Sequence, residues 1–181
     1  MATKKQILRL LTENEVPAVL VGGLALRIYN SPRVTHDMAL AIRSLDTVRV
    51  AELLYGLGCR LVCEVGERDA QLPLSASDAV AWVEAGGVSS MTFVECAVLS
   101  SHVSFAEIDI ATQVDFLFDL AVPVMRLRER ARAVAVDDFE ILVASPQDLL
   151  ELKRAREDQS PADLADIAFL ERLIAADAGR A

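Results

Sequence analysis

Two acidic side chains, far apart along the chain, carry the chemistry that this sequence offers. Asp37 follows an apolar run, Ala18-Val19-Leu20-Val21, and a Gly22-Gly23 pair. Asp115 stands in Gln113-Val114-Asp115-Phe116-Leu117-Phe118, whose apolar residues put it on a buried strand. An unpaired charge is costly there, so a site role competes with that of a strand-end or ion-paired carboxylate. Gly22-Gly23 lets the backbone turn tightly and approach a ligand. The helical segment that follows, Leu24 to Tyr29, would aim its first amides at that ligand, a geometry suited to phosphate. Glycine pairs also serve packing alone at strand–helix junctions; Asp37 just downstream raises the value of this one. Magnesium takes oxygen ligands, usually a few carboxylates with phosphate oxygens and water, and Asp37 and Asp115 are the candidates. The structural alternative for Asp37 is a partner for helix amides or for Arg33. Asp109 competes with Asp115, and Asp119 reads as a turn residue.

The elements that must position these residues follow from periodicity and punctuation. Residues 4–13 fit an amphipathic helix with Ile7, Leu10 and Leu11 on one face. Ala18 to Val21 reads as a central strand buried on both faces. Pro32 ends the helix after the glycine pair, because a residue before proline avoids helical geometry. His36 to Ile42 is expected as a strand, and 46–57 as a helix stopped by Gly58. Cys59 to Glu64 reads as a strand, Gly66 to Pro73 as a polar loop, and 78–85 as a helix capped by Ser77 and ending at Gly86-Gly87. Strands are expected at 89–98, 103–110 and 114–118. A helix opened by Pro123 should run to about Ala133, before a hairpin over 135–143 that turns at Asp137-Asp138. Ser145-Pro146-Gln147-Asp148 and Ser160-Pro161-Ala162-Asp163 are two matching helix starts: serine caps, proline suits the first turn, and aspartate favours the positive end. The fold class is therefore α/β (α+β): a mixed sheet flanked by helices, with a helical C-terminal extension. A core over 1–122 and a helical region with a small hairpin over 123–181, packed on it as one unit or two, is the expected organisation.

Composition sets the outer bounds. A chain of 181 residues, 53% hydrophobic, supplies a core and argues against disorder. No apolar run reaches the roughly 18–20 residues of a membrane span, and the N-terminal segment lacks a leader's long apolar run. A cytoplasmic protein without a membrane partner is expected. The three cysteines, Cys59, Cys63 and Cys96, form no paired framework and read as small buried residues. A net charge of −9 opposes tight non-specific binding to nucleic acid. The basic run Arg126, Arg128, Arg130 and Arg132 reads as a solvated helix face, with an RNA-backbone contact as the lesser alternative. His36 and His102 are too few for a histidine metal site, and Trp82 reads as a packing residue.

The stretch Ala18 to Ile42 resembles the nucleotide-binding core of the DNA-polymerase-β-like nucleotidyltransferases. It is most similar to the small bacterial abortive-infection (AbiEii-type) proteins and the antibiotic nucleotidyltransferases. These show a strand, a Gly-Gly or Gly-Ser turn, a helix, and then Arg-x-Thr-x-Asp-x-Asp on the next strand. Here Gly22, Gly23, Arg33, Thr35 and Asp37 match, and Ala39 stands where the second aspartate would be. The late chain is similar too, in Val143-Ala144-Ser145-Pro146-Gln147-Asp148-Leu149, Leu152-Lys153 and Asp163-Leu164-Ala165-Asp166-Ile167. The resemblance implies NTP and Mg²⁺ held by Gly22, Gly23, Asp37 and Asp115, with Asp115 also the candidate base. Arg33, Thr35 and Lys153 are carried over as nucleotide contacts, Lys153 against the alternative of a solvated lysine paired with Glu157. Asp163 and Asp166 read as cap and packing residues. The implied reaction moves a nucleotide to a hydroxyl of RNA, a protein or a small molecule.

Ala39 limits that expectation. In the resembling family the residue at its position bridges two metals, and alanine supplies no oxygen. Loss of a mere outer partner costs about 10–100-fold in metal affinity or activity. Activity is impaired, or another carboxylate compensates, or the chain is a non-catalytic nucleotide-binding or interaction module of toxin–antitoxin type, with a partner protein or a second copy of itself.

Overall fold

The computed structural model describes residues 2–86, 88–96, 98 and 100–179, with only the backbone described at 64 and 109–111. The chain opens with α1 (Lys4–Glu13), capped by Thr3 and Gln6 in a reciprocal box, with Ile7 and Leu11 buried. β1 (Val19–Val21) is buried throughout and passes directly into α2 (Gly22–Ile28). β2 (Met38–Ala41) follows, then a single 3₁₀ turn and α3 (Thr47–Gly56). Gly58 ends that helix region with φ of +87°, a conformation open to glycine.

β3 (Cys59–Val62), β4 (Glu64–Val65) and β5 (Asp69–Gln71) precede α4 (Ala76–Gly86). β6 (Ser90–Glu95), β7 (His102–Ser104) and the long β8 (Asp109–Leu117) come next. The C-terminal third runs α5 (Val124–Arg130), β9 (Arg132–Val136), β10 (Phe139–Val143), α6 (Pro146–Arg154) and α7 (Pro161–Ala178).

Seven strands form one mixed sheet in the order β3-β6-β8-β2-β1-β10-β9. β1 lies antiparallel to β2 and parallel to β10, and β2 lies parallel to β8. The hairpin β9–β10 thus joins the same sheet as the N-terminal strands. β4, β5 and β7 form a second, three-stranded sheet. Arg60 ties the two together: buried on β3, its guanidinium donates to the carbonyls of Leu72, Pro73 and Val98. A buried cation is tolerable when its donors are used in this way.

Several sequence expectations are corrected. Residues 66–73 hold a strand: Asp69–Gln71 pairs with β4 and β7, and only Ala70 faces inward to the small core, so the pattern is too short and polar to announce itself. The expected strand over 103–110 is broken by a 3₁₀ turn at Phe105–Glu107, capped by Ser104. Ser75, not Ser77, caps α4, accepting from the Asp78 amide. α5 stops at Arg130, so Arg132 belongs to a strand and not to a helix face. Gly87 lies outside the described residues. The two Ser-Pro helix starts form as read, each serine accepting from the amide three residues on. No helix among the described residues is long and apolar enough to cross a membrane. All three cysteines are free, and burial with nearby Glu95 pushes the Cys59 thiol up to about 11.

Candidate functional site

The glycine pair sits where the chain leaves the centre of the sheet. Gly22 has φ of +67°, which an L side chain rarely adopts. A Cβ at Gly22 would lie 3.3 Å from the Ala39 Cβ, and one at Gly23 would come within 2.7 Å of the Thr35 Cγ2. Both glycines therefore permit close approach: the turn lies flat against β2, and buried Thr35 closes over Gly23.

Register then assembles the acidic face. Val21 pairs with Ala39, Ala39 with Asp115, and Asp115 with Thr92, in one row across four strands. Side chains in such a row share a face, and residues two apart along a strand return to it. Asp37 immediately precedes β2, and if the strand alternation continued through it, it would fall on the face of Ala39 and Asp115. Asp37 is exposed and, among the described residues, makes no hydrogen bond or ion pair. Asp115 is half-buried; its carboxylate accepts from Thr92 Oγ1 at 2.8 Å and from Gln113 Nε2 at 3.3 Å. Both donors are neutral. The side chain of its competitor, Asp109, lies outside the described residues. Asp119 occupies an exposed bend with φ of +60° just past β8.

The remaining candidates gather on a second cluster. Lys153 is only 6% exposed, and its ammonium lies 2.7 Å from both Asp163 Oδ1 and Asp166 Oδ2. Arg33 pairs with Asp166, and Arg156 reaches Asp163 at 3.2 Å. Burial would raise the Asp163 pKa, but hydrogen bonds from Lys153 and Ser160 outweigh it and hold the carboxylate well below the usual range. Glu157 is not the partner of Lys153; the helix that follows supplies the carboxylates. Arg33 stands before β2 and Lys153 on α6, so the cluster fastens the two C-terminal helices to the segment carrying Thr35 and Asp37.

A cavity of about 390 Å³ lies beside the glycine turn, between the sheet and α6. Val21, Ala39 and Leu117 form its sheet wall, Gly22 the turn above it, and Leu149, Leu152 and Lys153 of α6 its helical wall, with Arg156 just past the helix. Asp37 and Asp115 are not among its walls; Asp115 belongs to the same strand row as the lining residues Val21 and Ala39. Arg156 also lines it; it lies just past the end of α6, so no helical spacing in the sequence marked it. Asp119, read from the sequence as a turn residue, lines it too. Among the described residues no three metal-ligating side chains converge. The donors present, one free carboxylate and one held by neutral groups, fit a single Mg²⁺ that shares substrate phosphates and water. They do not fit a carboxylate-bridged metal pair, because position 39 is a methyl group.

No protein-family model and no curated protein matches the sequence. Solved structures with a similar chain course include three proteins. One is a presumed nucleotidyltransferase from Thermotoga maritima, at 14% identity and TM-score 0.47, over 83% of this chain and 82% of that one. Another is the lincosamide antibiotic adenylyltransferase LnuA in its lincomycin-bound form, at 15% identity and TM-score 0.48, over 95% of this chain and 98% of that one. The third is ANT(2")-Ia with adenylyl-2"-tobramycin, at 13% identity and TM-score 0.46, over 97% and 95% of the two chains.

Proposed function

We propose that the chain is a nucleotidyltransferase-type protein that binds an NTP with one Mg²⁺ and whose transfer of a nucleotide to a hydroxyl acceptor is impaired. The single observation that carries this reading is the row Val21–Ala39–Asp115, with Gly22 packed against Ala39. It puts the glycine turn, Ala39 and the Asp115 carboxylate on neighbouring strands; in this reading Ala39 stands where a second carboxylate would complete the site. Asp37 and Asp115 are the residues that would hold the ion. Bound there, magnesium would neutralise charge on the phosphates. Asp115, held by Thr92 and Gln113, keeps a fixed direction and is the candidate to accept the acceptor's proton. Gly22 and Gly23 would cradle phosphate through the backbone.

Ala39 is partly exposed and lines the cavity. An added carboxylate would project into that space and not into the core. Ala39→Asp should therefore fold and regain label transfer from α-labelled NTP to cellular RNA, protein or small molecules, by at least about 10-fold over the native chain. Calorimetric titration with each NTP and Mg²⁺ should show saturable heat in both. No heat with any nucleotide, together with no transfer by Ala39→Asp, would overturn the proposal.

One observation favours a second reading, a non-catalytic interaction module. Lys153, the candidate phosphate contact, is committed to Asp163 and Asp166, so its charge is already neutralised. Under this reading the fold is kept, the nucleotide is absent, and a partner protein of the toxin–antitoxin kind is the ligand.

A further inference from the structure

β9 is a terminal strand of the seven-stranded sheet, and it lacks the devices that usually keep such an edge apart from other chains. Its sequence, Arg132-Ala133-Val134-Ala135-Val136, has no proline and one charge. Its pairing to β10 runs without a bulge from Phe139↔Val136 to Val143↔Arg132. The two-residue turn at Asp137-Asp138 makes Val136 and Phe139 the first bonded pair. Alternation along an antiparallel ladder then spends the backbone groups of Val134 and Arg132 on β10 as well. The amides and carbonyls of Ala133 and Ala135 point outward. Both alanines are exposed, whereas Val134 and Val136 are half-buried against the core.

We infer that β9 is a self-pairing edge, through which two copies of this chain join antiparallel strands about a two-fold axis at Val134. That register is singled out by the outward groups. It sets Ala133 of one copy opposite Ala135 of the other, twice by symmetry, so all four outward groups of each strand find partners. Arg132 falls opposite Val136 and diagonal to Asp138 of the second copy. Among the described residues Arg132 makes no salt bridge within its own chain, while both carboxylate oxygens of Asp138 accept from Arg9 of α1, so Arg132 of the second copy would share an acceptor that keeps further lone pairs. The charges are therefore complementary in the same register that satisfies the backbone. Five residues a side bury less than a standard interface, so the association is weak and concentration-dependent. It lies away from the glycine turn and does not rest on the proposed function.

Two double variants test the register without touching the core, since both side chains point to solvent. Ala133→Lys with Ala135→Lys sets like charges directly opposite across the axis. Ala133→Lys with Ala135→Glu sets opposite charges there. In sedimentation velocity up to millimolar protein, the native chain should move from monomer to dimer. The Lys/Lys variant should stay monomeric, and the Lys/Glu variant should dimerise at roughly 10-fold lower concentration, from two symmetry-related cross-strand pairs. Circular dichroism should be alike in all three. A native chain that remains monomeric throughout, or two variants that associate alike, would overturn the inference.

Discussion

The two charged regions near the glycine turn are built on opposite principles. On the sheet, Asp37 is unpaired and Asp115 has only neutral donors, Thr92 and Gln113. On the helices, Lys153, Asp163 and Asp166 are buried and interlocked, with Arg33 and Arg156 at the rim. A charge that spends its hydrogen bonds inside the protein holds the fold, and one left uncommitted is available to a ligand. By that criterion the acidic face is the half we propose to be functional, and the lysine cluster fastens the helices to it.

The contrast is broken most forcefully at Lys153. Lys153→Met leaves two buried carboxylates facing each other, and loss of one partner of a buried pair costs about 3–5 kcal/mol. Urea unfolding should show it; a change within about 0.5 kcal/mol would mean that the lysine is a ligand contact and not a fastener. Next comes the turn. Gly23→Ala drives a Cβ into Thr35, and overpacking of this kind costs about 1–3 kcal/mol, again read from the urea midpoint. Nucleotide heat should fall in the same variant, because the turn can no longer lie flat on β2.

Acid should distinguish the two regions as well. The Asp163 carboxylate titrates below its unfolded value near 3.9. Its contribution is therefore complete above that value and is lost as pH falls through the folded pKa. Stability should be level near neutrality, decline below about pH 4, and decline less steeply in Asp163→Asn. The smallest expected effect on stability is at Asp37. Asp37→Asn removes an exposed, unpaired charge and should change stability by no more than about 0.5 kcal/mol, while abolishing Mg²⁺-dependent NTP heat. Retained heat would sever Asp37 from the metal.

How legible the molecule was depended on the range of each interaction. α1, β1, the stop at Gly58, the turn at Asp137-Asp138 and the starts of α6 and α7 all follow from signals within four or five residues. β5 escaped because its one inward residue, Ala70, gives no period. The early end of α5 escaped because the strand that begins at Arg132 is held by pairing with β10, and Ala131 to Ala133 would suit a helix as well. At the site, Gly22, Gly23, Asp37 and Asp115 stood out by type and neighbours. The partners of Lys153 did not, and Glu157 was the local choice.

The amino-acid order by itself determined the punctuation: a glycine turn after a short apolar strand, two serine-capped helices and a hairpin. Those features are written in backbone conformations and capping bonds that close over a turn or less. Only the tertiary structure decided that Ala39 lies beside Asp115, and that Lys153 is spent on Asp163 and Asp166. Strand register and buried ion pairing are settled by packing between segments distant in the chain, and no local propensity encodes which distant partner a side chain will meet.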